Sequence, residues 1–432
     1  MSEGRQTEIA VLSLHHSRIP ILDTKANQRI FGSVNSAKLK NLREKLKSIR
    51  YTETTVSNRL RIWHISAIIL PEYPVYRERL RQRCDALSII ISLFLLQSEV
   101  PRAAAESALT SGLVNELLMF GLLTQAPNNA VAATASIYPC SGLHFITDHH
   151  FRPGSNDYQI VPNQPVMHLG QDSYALAYLA TKPPKGGRVL DMCAGSGVHA
   201  IQAAQQAERV IGVDINRRAV DFATVNAKLN GVSKKCDFRC GYLYDAVKSE
   251  GRGRELFDLI LANPPFVPSP RTGPDRILFQ DAGPAGDEIL GPVLSGLLNH
   301  LTPRGSALII SLFADQKGSH HRAKIKKWIG SRTSVDLLLL KIYSVAPEEL
   351  AFWFTWNVFG DGFGAYNERY KEWLDVLRAK EILKLTYGVL VVRFSHTSSF
   401  RTVDIPLSQA LNKKRSSKIR RLMTQRGQSA TG

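Results

Sequence analysis

Arg188-Val189-Leu190-Asp191-Met192-Cys193-Ala194-Gly195-Ser196-Gly197 decides the reading of the chain. Five residues with strand character run straight into a turn with two glycines, and the stretch Val198 to Ala207 beyond it has helical character. Gly195 and Gly197 open backbone conformations that other residues avoid and let a ligand approach the main chain closely. A second apolar strand, Arg209 to Val213, ends in Asp214, whose carboxylate is placed to accept two ribose hydroxyls. The spacing is not that of a phosphate-gripping loop. Ala200 stands where a third glycine would complete Gly-x-Gly-x-x-Gly, and no Lys-Ser/Thr pair follows to make a P-loop. Asp191 beside the turn would repel a pyrophosphate and suits a cationic nucleoside without phosphates.

Further along, Phe257 to Ala262 reads as a buried strand that ends in Asn263-Pro264-Pro265-Phe266. Proline lacks the N–H that a sheet ladder needs, so Pro264 and Pro265 push the chain out of the sheet and hold its carbonyls in place. Asn263 offers a side-chain carbonyl and an amide, and Phe266 a flat face. Together they have the means to grip a planar N–H group and aim its nitrogen.

With both stretches present, the chain resembles the S-adenosylmethionine-dependent methyltransferases of the Rossmann-like class. Within that class it resembles the amino-methylating, release-factor glutamine methyltransferase-like proteins that carry an extra N-terminal domain. The likeness runs from about Leu93 to Phe394, including Gly283-Pro284-Ala285-Gly286-Asp287 and the aromatic stretch Trp353 to Trp373. The resemblance implies that Asp191, Cys193, Ala194, Gly195 and Gly197 line the methionine end of S-adenosyl-L-methionine. Asp214 then binds the ribose, and Ile215 lies against the adenine. Many relatives place an acidic residue after the glycine of a Gly-Asp-Leu-Phe-like stretch. Here that stretch reads Gly241-Tyr242-Leu243-Tyr244-Asp245, so Asp245, a backbone group or stacking by Tyr242 has to replace the contact. Asn263, Pro264, Pro265 and Phe266 become the catalytic set, with Asn263 also next to the cofactor.

At 432 residues and 44% hydrophobic composition, the chain supports more than one module with a substantial core. The expected fold is α/β: a Rossmann-like, seven-stranded methyltransferase domain over residues 171–400, preceded by a mainly helical, winged-helix-like domain over residues 1–150. Residues 151–170, rich in Pro, Gly and Asn, form the expected linker across the catalytic mouth, and residues 401–432 a basic tail. In the N-terminal domain, helices are expected over Lys38 to Ile49, Cys84 to Leu96, Arg102 to Leu109 and Gly112 to Phe120. A strand is expected over Arg59 to Leu70, and a strand pair within Ser136 to Asp148.

The strands expected in the sheet are Arg188 to Met192, Arg209 to Val213, Asp237 to Arg239, Leu256 to Ala262, Ser306 to Phe313, Asp336 to Tyr343 and Tyr387 to Phe394. The resemblance implies that the last runs antiparallel. Phe352, Trp353, Phe354, Trp356, Phe359, Phe363, Tyr366, Tyr370 and Trp373 have largely helical spacing and read as core.

Lysine and arginine number 55 against 37 acidic residues, a formal charge of +18. Part of the excess falls in Lys413-Lys414-Arg415-Ser416-Ser417-Lys418-Ile419-Arg420-Arg421, a candidate nucleic-acid contact. Five cysteines without paired spacing argue against a disulfide framework. Cys236 and Cys240 read as reduced core thiols, and no metal is expected. His149, His150 and His168 read as polar residues on the surface. No signal peptide is apparent and the longest apolar run, Ala86 to Leu96, is too short for a bilayer, so a cytoplasmic protein without a membrane partner is expected.

The functional expectation is methyl transfer to a planar amide or amino nitrogen of a macromolecule, either a translation protein or an RNA or DNA base. A small-metabolite methyltransferase and a non-catalytic cofactor-binding scaffold are the alternatives.

Overall fold

A computed structural model describes residues 36–149, 165–247, 254–271, 276–330, 333–355 and 362–424. The N-terminal part opens with α1 (Ser36–Ser48), α2 (Glu53–Leu60), α3 (Tyr73–Arg81) and α4 (Ala86–Phe94). Leu39, Leu42 and Leu46 line one face of α1 and are buried. The expected strand Arg59 to Leu70 is instead the end of α2 and a short 3-10 turn. The side chains of Thr52 and Thr55 cap α2, and Arg61 closes it in the left-handed region at φ 54°. Local capping outweighs the apparent alternation there.

Next come β1 (Val100–Pro101), α5 (Arg102–Leu109), α6 (Ser111–Met119), β2 (Leu123–Ala126) and β3 (Ala130–Ala133). They make an antiparallel sheet in the order β1-β3-β2, and with α4 they follow the winged-helix succession of helix, strand, two helices and hairpin. The pair β4 (Ser136–Cys140) and β5 (Leu143–Thr147) stands where a strand pair is expected.

After α7 (Gln171–Leu179), strands and helices alternate: β6 (Arg188–Met192), α8 (Val198–Ala203), β7 (Arg209–Asp214), α9 (Arg217–Leu229), β8 (Cys236–Cys240) and β9 (Phe257–Ala262). Then follow α10 (Leu290–Leu297), β10 (Leu301–Gln316), α11 (His321–Ile329), β11 (Val335–Val345), α12 (Pro347–Trp353), α13 (Phe363–Ala379) and β12 (Ile382–Phe394). The sheet runs β13-β11-β12-β10-β9-β6-β7-β8, where β13 is Ser399–Asp404.

Seven strands were expected and eight are present. β12 runs antiparallel between β10 and β11, as expected, and β13 adds to the edge parallel to β11. β10 starts earlier than expected because its ladder is irregular between Leu301 and Ser306, across Pro303 and Gly305, which look like a break in sequence.

The residues expected as a tail are largely folded, for an apolar reason. After β13, Ile405, Leu407, Ala410, Leu411, Ile419 and Met423 are buried, on α14 (Leu407–Ala410), α15 (Ser416–Thr424) and the turns beside them. Lys413, Lys414, Arg415 and Lys418 remain exposed on the outside. Arg420 donates to the Tyr178 carbonyl on α7.

Side chains alternate between the two faces of the sheet. Leu190, Met192, Ile260, Ala262 and Ile309 pack under α10 and α11, whereas Val189, Leu259 and Leu261 share one core with α7 to α9 and the N-terminal helices. The two parts are therefore packed together. Asn226 on α9 and Asn230 at its C-cap each exchange a pair of hydrogen bonds with the backbone of β5, at Ile146 and His144, over 2.7–3.0 Å. Asn226 also donates to the Ser196 carbonyl in the glycine turn at 2.9 Å.

His149 is buried rather than on the surface. Its ring bridges Ser136 Oγ and the Ala133 carbonyl, and burial lowers it to about 4. His150 and most of the expected linker, residues 150–164, lie outside the described residues, as do Trp356 and Phe359. Trp353, Phe354 and Trp373 are core, but Phe363 is exposed. All five cysteines are free thiols, and Cys240 is exposed rather than core. Among the described residues no helix is long and apolar enough to cross a membrane.

Candidate active site

At the carboxyl ends of β6, β7 and β9 lies a cavity of about 650 Å³, in the size range of cofactor sites. This is where open α/β sheets bind ligands. One wall is the turn after β6. Cys193, Ala194, Gly195 and Ser196 line it, and Gly195 is left-handed at φ 53° with only open space where a side chain would project. The Gly195 N–H donates to Asp214 Oδ2 at 2.8 Å, and Asn216 N–H donates to Asp214 Oδ1 at 2.9 Å. The Asp214 carboxylate is thus held by two amides at the cavity wall. Burial raises its pKa, and those two N–H bonds oppose the rise.

Ile215 and Tyr242 also line the cavity and are 56% and 44% exposed. Two apolar side chains open to a cavity beside a ribose-type acceptor suit a flat heterocycle. Asp245 lies in the following 3-10 turn and does not line the cavity. Glycine turn, anchored carboxylate and apolar flanks together fit S-adenosylmethionine.

Two residues expected in the cofactor wall stand behind it. Asp191 is fully buried and accepts the Ala200 N–H at 2.8 Å, so it anchors the first turn of α8 instead of facing the cavity. Burial, reinforced by Asp214, holds its carboxyl well above the usual range. Gly197, at φ 80°, is required by packing. A Cβ there would stand 2.9 Å from the Ala223 Cβ on α9.

The other wall carries the Asn-Pro-Pro-Phe turn. Asn263 and Pro265 line the cavity. Asn263 donates its Nδ2 to Asp172 Oδ2 at 2.7 Å, which leaves Oδ1 available to an incoming donor. Asp172 sits in the first turn of α7 and is buried, which raises its pKa, while the Asn263 bond opposes that rise. Gly170 makes room for it, since a Cβ there would lie 2.6 Å from Asp172 Oδ1.

Pro264 and Phe266 are buried and are not part of the cavity wall. Phe266 faces Tyr387 with ring centroids 6.1 Å apart, so it packs the turn onto β12 rather than presenting a face to the acceptor. Residues that sequence reading missed complete the wall: Ser173, His199, Arg276, Phe279 and Asp281. His199 is held at about 4 by burial and its ring meets the Ser173 carbonyl, so it is neutral at pH 7. No local signal marks these residues, because each acquires its place through long-range packing.

Sheet order, glycine turn and anchored acidic residue are features shared with class I S-adenosylmethionine-dependent methyltransferase domains. Residues 171–277 match the family model Methyltransferase small domain, and residues 72–134 match Domain of unknown function (DUF7059), which takes in most of the winged-helix-like part.

Among curated proteins, the chain is 31% identical over 150 residues to a ribosomal protein uL3 glutamine methyltransferase of Bradyrhizobium diazoefficiens, covering 33% of this chain and 45% of that protein. It is 30% identical over 163 residues to a tRNA1(Val) (adenine(37)-N6)-methyltransferase of Porphyromonas gingivalis, covering 34% and 63%. It is 28% identical over 214 residues to a 23S rRNA (uracil(1939)-C(5))-methyltransferase of Burkholderia pseudomallei, covering 47% and 44%. In each case the chain spans less than two thirds of the relative's length.

Proposed function

We propose that the protein transfers the methyl group of S-adenosylmethionine to a planar amide or amino nitrogen on a macromolecule, a translation protein or a nucleic-acid base. The observation that carries this reading is the Asn263–Asp172 bond at 2.7 Å. It orients the Asn263 amide at the edge of the same cavity that holds Gly195 and Asp214.

The cofactor, when bound, supplies an electrophilic methyl on a sulfonium. Gly195, Asp214, Ile215 and Tyr242 bind and orient it. An amide or exocyclic nitrogen is a poor nucleophile while its lone pair is delocalised, so the protein's task is to localise that pair. Asn263 Oδ1 accepts an N–H hydrogen of the acceptor at the cavity wall and aims its nitrogen into the cavity. Orientation of this kind is worth several kcal/mol, on the order of 7 to 11 in favourable cases. Transfer breaks the sulfonium–methyl bond, leaves S-adenosylhomocysteine, and makes the methylated nitrogen acidic enough to lose its proton to water, so no strong general base is needed. Two of the relatives named above bear names for nitrogen methylation of a glutamine or an adenine, which supports the same acceptor chemistry.

Purified protein and methyl-labelled S-adenosylmethionine, added to an extract of cells lacking the gene, test the proposal. Label in an RNase-sensitive or protease-sensitive fraction is expected and sorts RNA from protein. Label that is entirely dialysable would replace the macromolecule with a metabolite, and no label with an intact cofactor site would support a scaffold.

A further inference from the structure

Beyond the cavity, β10 leads through the tight turn 316–319 into α11. Gln316 and Ser319 exchange backbone hydrogen bonds of 2.9 Å in both directions, and Gly318 takes φ 73°. This turn folds Asp315 back onto His320 and His321. His321 Nδ1 lies 2.7 Å from Asp315 Oδ1, and His320 Nε2 lies 3.6 Å from the same oxygen. One ligand atom from each of the three side chains lies within 4.8 Å of the other two.

We propose that Asp315, His320 and His321 form a site for a divalent transition metal of the zinc class. Two imidazoles and a carboxylate make a borderline donor set of the kind zinc takes, with a fourth position left for water. Ligand atoms about 2.0–2.2 Å from a tetrahedral zinc stand about 3.3–3.6 Å apart, so the 3.6 Å spacing of His320 from Asp315 fits and the 2.7 Å contact of His321 with Asp315 has to open slightly. His320 supplies the adjustment because its side chain is 53% exposed. Its Nδ1 accepts the Arg322 N–H at 3.1 Å, which turns Nε2 toward Asp315; ligation through Nε2 moves the ring proton to Nδ1 and gives up that capping bond. Asp315 is fixed by the His321 backbone N–H at 2.7 Å. The ammonium of Lys384, 3.6 Å from Asp315 Oδ2, opposes a cation and weakens the site.

The metal would brace the acceptor wall. Lys324, one turn into α11, reaches Asp287 at 2.7 Å, and Asp287 belongs to the loop that also contributes Asp281 and Ile289 to the cavity. A metal at the start of α11 would therefore stiffen that loop from outside.

The plain alternative is that Asp315 and His321 only anchor the start of a helix. In that case His320 serves only as the N-cap of α11 through Nδ1 and its Nε2 binds no ion, so loss of ion binding in a His320 variant is the discriminating readout. Titration of the metal-free full chain with Zn²⁺, and with Co²⁺ followed by its visible absorption, is the test. One ion per chain is expected, with affinity reduced about tenfold or more in His320→Ala and in His321→Ala. A histidine-type Co²⁺ spectrum is expected, with a zinc-dependent rise in melting temperature that His320→Ala abolishes. His320 is outside the core, so that variant should fold, and circular dichroism checks it. Absence of binding, unchanged affinity in His320→Ala, or a thiolate-to-cobalt band placing the ion on a cysteine would each overturn the proposal.

Discussion

The cofactor side and the acceptor side of the cavity are assembled over different distances along the chain. On the cofactor side, neighbouring parallel strands bring the Gly195 amide to Asp214, a contact between residues 19 apart in sequence, and the register of β6 on β7 places it. On the acceptor side, Asn263 is held by Asp172 from a helix 91 residues earlier, and the turn it belongs to is packed through Phe266 onto Tyr387 of β12. The first side is a local motif and the second a tertiary construction. Disturbing the first should weaken cofactor binding, and disturbing the second should slow transfer with the cofactor still bound.

The largest effect is expected from Asn263→Ala. It removes the acceptor that aims the target nitrogen and should slow single-turnover methyl transfer about a hundredfold or more. Asn263→Asp keeps an oxygen acceptor and should lose less. Near-normal transfer by Asn263→Ala would end the division between the two sides.

Asp214→Ala comes next. Loss of a charged acceptor for two hydroxyls costs roughly 1.5 to 3 kcal/mol per hydrogen bond. Titration calorimetry with S-adenosylmethionine should therefore read at least a tenfold weaker dissociation constant. An unchanged constant removes Asp214 from the cofactor side.

Asp172→Ala sharpens the comparison, because Asp172 positions Asn263 without lining the cavity itself. Transfer should fall about tenfold through kcat, with cofactor affinity unchanged, and Asp172→Asn should recover most of it because it still offers an oxygen to the Asn263 amide. Equal losses in both variants would mean that the carboxylate's charge matters instead. The smallest effect is expected from Tyr242→Ala, which removes one exposed flank of the heterocycle. It should weaken cofactor binding by about twofold to tenfold, from about 0.5–1.5 kcal/mol of ring stacking, and leave the rate at saturating cofactor intact.

The same division explains what could be read from sequence. Strands β6, β7 and β9 are short apolar runs bounded by glycine, aspartate or proline, so period and punctuation reveal them directly. The contact between Asp172 and Asn263 has no local signature. Asp191 and Gly197 belong to the glycine turn but stand one layer behind the cavity wall. Motif spacing shows that a residue belongs to the turn but not whether it faces the ligand or the helix behind. β13, a half-buried edge strand, has no apolar alternation to reveal it, and the few apolar residues of α14 and α15 are spread among lysines, arginines and serines.

Calorimetry with S-adenosylhomocysteine on the wild type, Asn263→Ala and Asp214→Ala tests the central claim most directly. One site per chain is expected, with Asn263→Ala within about twofold of wild type and Asp214→Ala at least tenfold weaker. Equal weakening of both variants, or no binding to the wild type, would contradict a cavity divided into separate cofactor and acceptor sides.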